Sequence, residues 1–257
     1  MSKVLLITGG ATGIGAASAR EAARAGYAVA INYRTREERA ARLVAELETA
    51  GARALAVRGD VTIPNDVESL FEEVERRLGK IDAVINSAAA FLPSTRVADA
   101  EASAIETLLR TNVLGLMLCC AQAARRMSVA RGGAGGVVIN VSSMAATIGG
   151  RPGSAHYAAS KAAVDAFSVG FAKEVAREGI RVLSVRPGFT VTEATEQRVL
   201  EPELAATLEA TIPLGRPARV EEVARPIVWL LSEAASFITG ACIDISGGGF
   251  TLGNVRA

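Results

Sequence analysis

The stretch Val4-Leu-Leu-Ile-Thr8-Gly-Gly-Ala-Thr-Gly13-Ile-Gly15 changes its pattern partway along. Its apolar run is continuous, as in a strand covered on both faces. The residues that follow, 13–25, read as a helix, and Gly9, Gly13 and Gly15 stand at the junction. Glycine lets a backbone turn sharply and come close to a bound group. The start of a helix offers unpaired N–H groups and a positive dipole to an anion. At the first strand–helix junction of a chain that repeats this unit, such a turn suits the pyrophosphate of a dinucleotide. Gly9, Thr12, Gly13, Ile14 and Gly15 are the residues expected to line it. The spacing is GxxxGxG, different from the commoner GxGxxG.

Further apolar runs follow at 28–32, 52–57, 83–86, 137–142, 181–185 and 242–245. They alternate with helical patterns at 37–50, 64–78, 105–127, 155–178 and 220–232. Alternation from end to end predicts parallel strands joined by right-handed crossovers. The expected fold is α/β with three layers: a Rossmann-like doubly wound parallel sheet of about seven strands, helices on both faces. No internal repeat or low-complexity linker interrupts the pattern, and the glycine cluster at 132–136 reads as a loop before a strand. Residues 1–257 are therefore expected to form a single domain.

Hydrophobic residues make up 50% of the chain and aromatics 4%, which describes a core of Ala, Val, Leu and Ile. Lys and Arg number 28 against 27 Asp and Glu. So balanced a charge leaves no electrostatic footprint for nucleic acid, and anion binding must be local. Cys119 and Cys120 are adjacent and Cys242 stands alone, without redox or zinc spacing. They read as small buried hydrophobes, and no metal site is expected. The apolar run at 4–7 is too short for a signal-peptide core, and the run at 113–121 is far below the ~20 residues of a membrane span. A cytoplasmic location with no membrane partner is expected.

Tyr157 and Lys161 lie in Ser154-Ala-His-Tyr157-Ala-Ala-Ser-Lys161, four residues apart in a helical pattern, so both emerge on one face. A phenol is a poor base at neutral pH because its ordinary pKa is about 10. A nearby ammonium favours the phenolate and draws that value down. The pair reads as a general acid/base able to move a proton to or from a hydroxyl. His156 is the only histidine. One residue along the helix, it points about 100° away from Tyr157, which suggests packing and not proton transfer.

The glycine turn and the Tyr157–Lys161 pair, taken together, resemble the short-chain dehydrogenase/reductase family in its compact form, and the resemblance spans essentially the whole chain. Asp60-Val61 after the third strand, Asn86 after the fourth and Asn112 in the next helix match in order. Ser142-Ser143 at the fifth strand and Pro187-Gly188 with Thr192 after the sixth complete the set. The resemblance implies an NAD(P)-dependent enzyme that moves a hydride between nicotinamide and a carbonyl or secondary alcohol. Tyr157 would exchange the proton with the substrate oxygen. Lys161 would lower the Tyr157 pKa and hold the nicotinamide ribose. Ser143 would bond the substrate oxygen, and Asn112 would hold a water linking Lys161 to solvent. Ser143 is preferred to Ser142, which would point to the opposite side of the strand. Ala88, Pro187, Gly188, Thr190 and Thr192 would join the cofactor contacts. One departure stands out: relatives commonly have Asn-Asn-Ala-Gly where this chain has Asn86-Ser-Ala-Ala89, and the added methyl could crowd the cofactor.

The second strand ends Asn32-Tyr33-Arg34, without the acid that selects NAD by holding the adenosine ribose. Arg34 can pair with a 2′-phosphate, so NADP(H) is favoured and NAD(H) remains possible. Thr12 weighs against NADP(H), since NADP-preferring relatives often carry a base there. Substrate choice is expected in the loop 189–213, polar near its start, with help from 90–93 and 144–146. The pattern is similar to sugar (glucose-type) dehydrogenases and to 3-ketoacyl-carrier-protein reductases. The first expectation is a small ketone, alcohol or sugar-like polyol. The runner-up is a 3-ketoacyl thioester, whose carrier would dock on Arg125, Arg126 or Arg131. A non-catalytic dinucleotide sensor is the alternative of another class; such relatives lose the tyrosine or the lysine. The resemblance also implies a homo-oligomer, a dimer or homotetramer, formed through the last strand and the helix before it, with Trp229 and Phe237.

Overall fold

The computed structural model describes residues 2–193 and 195–249. Its strands are β1 (Val4–Thr8), β2 (Ala28–Tyr33), β3 (Ala54–Arg58), β4 (Ile81–Asn86), β5 (Gly136–Val141), β6 (Ile180–Pro187), the short β7 (Thr190–Val191) and β8 (Ala218–Arg219), and β9 (Cys242–Ile245). Seven of them form one sheet in the order β3-β2-β1-β4-β5-β6-β9, and every neighbouring pair runs parallel. The order reverses between β1 and β4. A crevice for ligands opens at such a reversal, beyond the carboxyl ends of the strands.

The helices are α1 (Gly13–Arg24), α2 (Glu37–Thr49), α3 (Pro64–Leu78), α4 (Ala102–Leu109), α5 (Leu116–Met127), α6 (Ala145–Ile148), α7 (Ala155–Val175), α8 (Glu196–Val199), α9 (Pro202–Thr211) and α10 (Val220–Leu230). β1 shows why its apolar run does not alternate. Leu5 and Ile7 enter one core with α1, α2 and α10 through Ala19, Leu43 and Ile227. Val4 and Leu6 enter the other core, with α3, α5 and α7 through Phe71, Cys120 and Phe171. Successive side chains of a strand point to opposite faces, so a strand with a helical layer on each face has no solvent side. Burying a Leu or Ile in this way contributes about 1.5–3 kcal/mol.

Two expectations are corrected. The helix expected at 105–127 is not uniform: α4 and α5 are joined by a π-helical stretch, Arg110–Gly115, with Asn112 inside it. A π turn widens the helix locally and is common at functional sites. The segment expected as a polar loop at 189–213 contains β7, α8 and α9, and β7 pairs with β8. Pro202 at the opening of α9, followed by good helix formers, accounts for that helix.

The helical run Ala102–Met127 is long and apolar enough to cross a membrane by length and composition, with a mean hydropathy of 1.4. It exceeds the run at 113–121 because the π stretch continues the helix. Leu116, Cys119, Cys120, Ala123 and Met127 on it belong to the core, while Leu109 and Leu114 are exposed.

Candidate active site

The glycine turn leaves β1 at the reversal of strand order. Gly9 has a φ of +63°, and a Cβ there would stand 2.7 Å from Ala88 Cα, so only glycine lets the turn pass this close to the end of β4. The turn is tied across by the Thr8 hydroxyl, which accepts from the N–H groups of Ser87 and Ala88. Thr12 precedes α1 in extended conformation and gives it no side-chain cap. The Gly13 N–H instead donates to Glu193 Oε2 at 3.1 Å. A carboxylate therefore already stands in for an anion at this helix start, and the donors suit the pyrophosphate of a dinucleotide. Ile14 and Gly15 continue into α1, where Ile14 packs against the core.

Beyond the ends of β2 and β3, Arg34 and Asp60 face each other at 3.3 Å. They border a cavity of about 550 Å3 shared with Thr35, Arg58 and Gly59. Burial works to raise the Asp60 carboxyl. Hydrogen bonds from Thr62 and the Arg34 guanidinium outweigh it and hold the group below its ordinary value. Val61 is buried beneath α5. The side-chain amides of Asn32 and Asn86 have partners within the fold. The Asn32 amide donates to the carbonyls of Gly59 at 2.9 Å and Val57 at 3.4 Å, stitching β2 to β3. The Asn86 amide donates to Asn140 Oδ1 at 2.9 Å inside the core. The Asn32 amide is thereby tied to β3, whereas Asn86 Oδ1 is buried without a partner. Tyr33 packs partly against the core layer of α1 and α2. Ala89 is exposed, and no residue but glycine has a positive φ among the described residues, so its methyl brings no backbone strain.

The proton-transfer candidates meet where β5 ends and α7 begins. Tyr157 and Lys161 lie one turn apart on α7, with Lys161 Nζ 5.8 Å from the centre of the phenol ring. Lys161 is 3% exposed and donates to the Val141 carbonyl at 2.8 Å. Burial pulls its ammonium down to about 8, opposed by the negative charge of Asp165. Asp165, one turn further along, is held by the Ser184 hydroxyl at 2.6 Å and Arg186 at 2.7 Å. Burial pushes the Tyr157 phenol up to about 12, and a hydrogen bond with Ser143 pulls against that. The expectation that Lys161 holds the phenol below its ordinary value is thus not met in the free protein. The ammonium lies over the ring and is turned to Val141.

Ser143 and Ser142 separate clearly. Ser143 reaches Tyr157, whereas the buried Ser142 hydroxyl donates to the Lys161 carbonyl at 3.0 Å. Asn112 is 1% exposed. Its Oδ1 accepts from the Ala90 N–H at 2.7 Å, and its amide donates to the Ala90 carbonyl and the Ser160 hydroxyl, each at 3.1 Å. That side chain is therefore committed to joining α7 and the 90–93 segment, and a water would have to be held by its main chain.

A protein-family model described as enoyl-(acyl carrier protein) reductase matches residues 9–250. An uncharacterized oxidoreductase of Escherichia coli, YgfF, is 39% identical over 95% of this chain and 99% of its own length. The chain belongs to the short-chain dehydrogenase/reductase family. An L-rhamnose 1-dehydrogenase (NAD(P)(+)) of a Sphingomonas species is 36% identical, over 96% of this chain and 95% of its own. A short-chain dehydrogenase of Burkholderia cenocepacia, solved in complex with NADP, superposes with a TM-score of 0.87 at 30% identity, covering 96% of this chain and 97% of that one.

Within this short-chain dehydrogenase/reductase, Pro187 and Gly188 close β6 against β9, where a Cβ on Gly188 would meet Ser246 at 2.9 Å. Thr190 is buried and donates to the Gly188 carbonyl, and the Thr192 methyl packs against Gly13. His156 is buried, as expected of a packing residue. Cys119 and Cys120 are free thiols inside the core, and burial pushes both up, Cys119 to about 12. Several residues at the site were given no individual role by the sequence. Phe91 stacks on Tyr157 with ring centres 5.0 Å apart, while Ser160 anchors Asn112 and Glu193 meets the glycine turn. Phe91 lies in the 90–93 segment and Glu193 in the polar start of 189–213, both expected near the substrate, whereas Ser160 carried no signal.

Proposed function

We propose that the chain reduces a carbonyl, or oxidises the matching alcohol, with NADP(H) favoured and NAD(H) accepted. The observation that carries this reading is the meeting of Tyr157, Ser143 and Lys161 at the carboxyl end of β5, in the same sheet whose β1 leads into the glycine turn. When bound, the nicotinamide supplies or accepts the hydride. The chain's own residues handle the oxygen and its proton. Ser143 bonds the substrate oxygen, and Tyr157 gives it a proton in reduction or takes one in oxidation. A phenol near 12 is fully protonated at neutral pH, which suits it to the donor role. Lys161 supplies positive charge beside Tyr157 and a donor for a ribose hydroxyl, and Asn112 holds a water through its main chain. Gly9, Thr12, Gly13, Ile14 and Gly15 cradle the pyrophosphate. Arg34, with Asp60, Val61 and Ala88, receives the adenosine end, while Pro187, Gly188, Thr190 and Thr192 close the nicotinamide end.

A small ketone, alcohol or sugar-like polyol is the substrate class, in line with the rhamnose dehydrogenase relative. A 3-ketoacyl thioester is the second reading, supported by a 3-oxoacyl-[acyl-carrier-protein] reductase of Staphylococcus aureus that is 33% identical over 96% of this chain, and by the exposed Phe91 ring on Tyr157. Against it, Arg126, one of the basic residues expected to dock a carrier, pairs with Glu75 at 3.1 Å. A screen of sugars, simple ketones and 3-ketoacyl thioesters, read by NADPH absorbance, tests both. Turnover of thioesters alone would replace the first reading, and turnover of none with tight NADPH binding would favour a sensor. The exposed Trp229 and Phe237 support a homo-oligomer, dimer or tetramer, and a monomer in sedimentation would count against it. We place the protein in the cytoplasm as a single domain.

A further inference from the structure

Glu193 occupies a position that an anionic ligand would be expected to fill. Its Oε2 accepts from the Gly13 N–H at 3.1 Å, at the uncapped start of α1. Its other carboxylate oxygen lies 3.9 Å from Arg39 Nη1 on α2. The carboxylate thus bridges the mouth of the glycine turn, from the first helix to the second. The chain that carries it has a fixed base. Thr190 and Val191 pair with Ala218 and Arg219. The Thr192 N–H donates to the Thr195 hydroxyl at 2.9 Å, and the Thr192 carbonyl accepts from Glu196 N–H at 2.8 Å. Glu193 itself is half exposed, so its side chain is free to swing while its anchor stays in place.

A helix start binds one anion at a given N–H, and a carboxylate and a phosphate cannot share the Gly13 donor. We propose that Glu193 is a latch: in the cofactor-free enzyme its carboxylate fills the phosphate seat of the dinucleotide cradle, ties the short stretch after β7 to α1 and α2, and must swing out before a dinucleotide binds. The inference rests on the dinucleotide reading above. It makes Glu193 a determinant of cofactor affinity that no motif marks. Because the contested donor serves the pyrophosphate, the latch weakens NADPH and NADH by the same factor. When a used cofactor leaves, the carboxylate takes its place and so favours release.

The test is direct titration of the full-length protein with NADPH and with NADH, followed by cofactor fluorescence, for wild type, Glu193→Gln and Glu193→Ala. Both variants should bind both dinucleotides more tightly, by about two- to fivefold, the range of an exposed charge at a helix end. Unchanged or weaker binding would overturn the latch. So would tightening confined to NADPH, which would trace the effect to the 2′-phosphate and Arg39. Binding of neither dinucleotide by any of the three proteins would overturn the dinucleotide reading and the latch with it.

Discussion

Replacing Lys161 with methionine should stabilise the cofactor-free protein while abolishing turnover. The ammonium is 3% exposed, and burial pulls its pKa from an ordinary 10.5 to about 8 despite the opposing pull of Asp165. A base whose folded pKa lies below its unfolded one costs stability wherever the unfolded chain binds the extra proton. That cost is fully present below about pH 8, shrinks as the pH climbs towards 10.5, and is gone above it. Its full size is about 3 kcal/mol. Methionine leaves the Val141 carbonyl without the donor now 2.8 Å away, which costs back about 1 kcal/mol. The expected gain is therefore about 2 kcal/mol at neutral pH. The assay is urea unfolding without cofactor, near neutral pH and again near the ordinary lysine pKa, where the gain should be gone and the lost hydrogen bond should leave the variant up to about 1 kcal/mol less stable than wild type. A methionine variant less stable than wild type at neutral pH would refute the reasoning. So would a difference that stays the same at both pH values.

Ser143→Ala should lower kcat about a hundredfold, the scale of losing one donor to a reacting oxygen. Ser142→Ala should keep kcat and lower stability by about 1 kcal/mol, since its hydroxyl bonds the Lys161 carbonyl. Steady-state kinetics and urea unfolding of the pair check both, and the reverse pattern would exchange their roles. Arg34→Ala should lower kcat/KM for NADPH about tenfold or more and leave NADH nearly unchanged, because only one cofactor brings a charged partner for the guanidinium. Equal losses with both cofactors would mean that Arg34 acts through Asp60, its partner at 3.3 Å.

The fold was legible because β1 and the runs like it are apolar on both faces, a pattern that few arrangements other than a covered parallel sheet accommodate. The glycine turn was legible for a similar reason: Gly9 sits where a Cβ would strike Ala88. The π stretch around Asn112 was not, since one inserted residue changes a helix's hydrogen-bond register without changing its apolar period enough to read. Asn32 and Asn86 show a second limit. The side-chain partners of each, here Gly59 and Asn140, lie far away in sequence and could not be read from it. Glu193 belongs with them, as its partner Gly13 lies 180 residues away. The Lys161 expectation failed on electrostatics. Spacing placed the ammonium near the phenol, but burial sets the direction of both shifts.

The central claim is that Tyr157 carries the proton in a dinucleotide-dependent carbonyl reduction. The most direct measurement compares wild type with Tyr157→Phe on the best substrate of the NADPH screen, together with NADPH affinity by fluorescence. The variant removes one hydroxyl and keeps the ring that stacks on Phe91. The account predicts a loss of kcat of about a hundred- to ten-thousandfold with cofactor affinity unchanged. A phenylalanine enzyme that turns over within a few fold of wild type would contradict it.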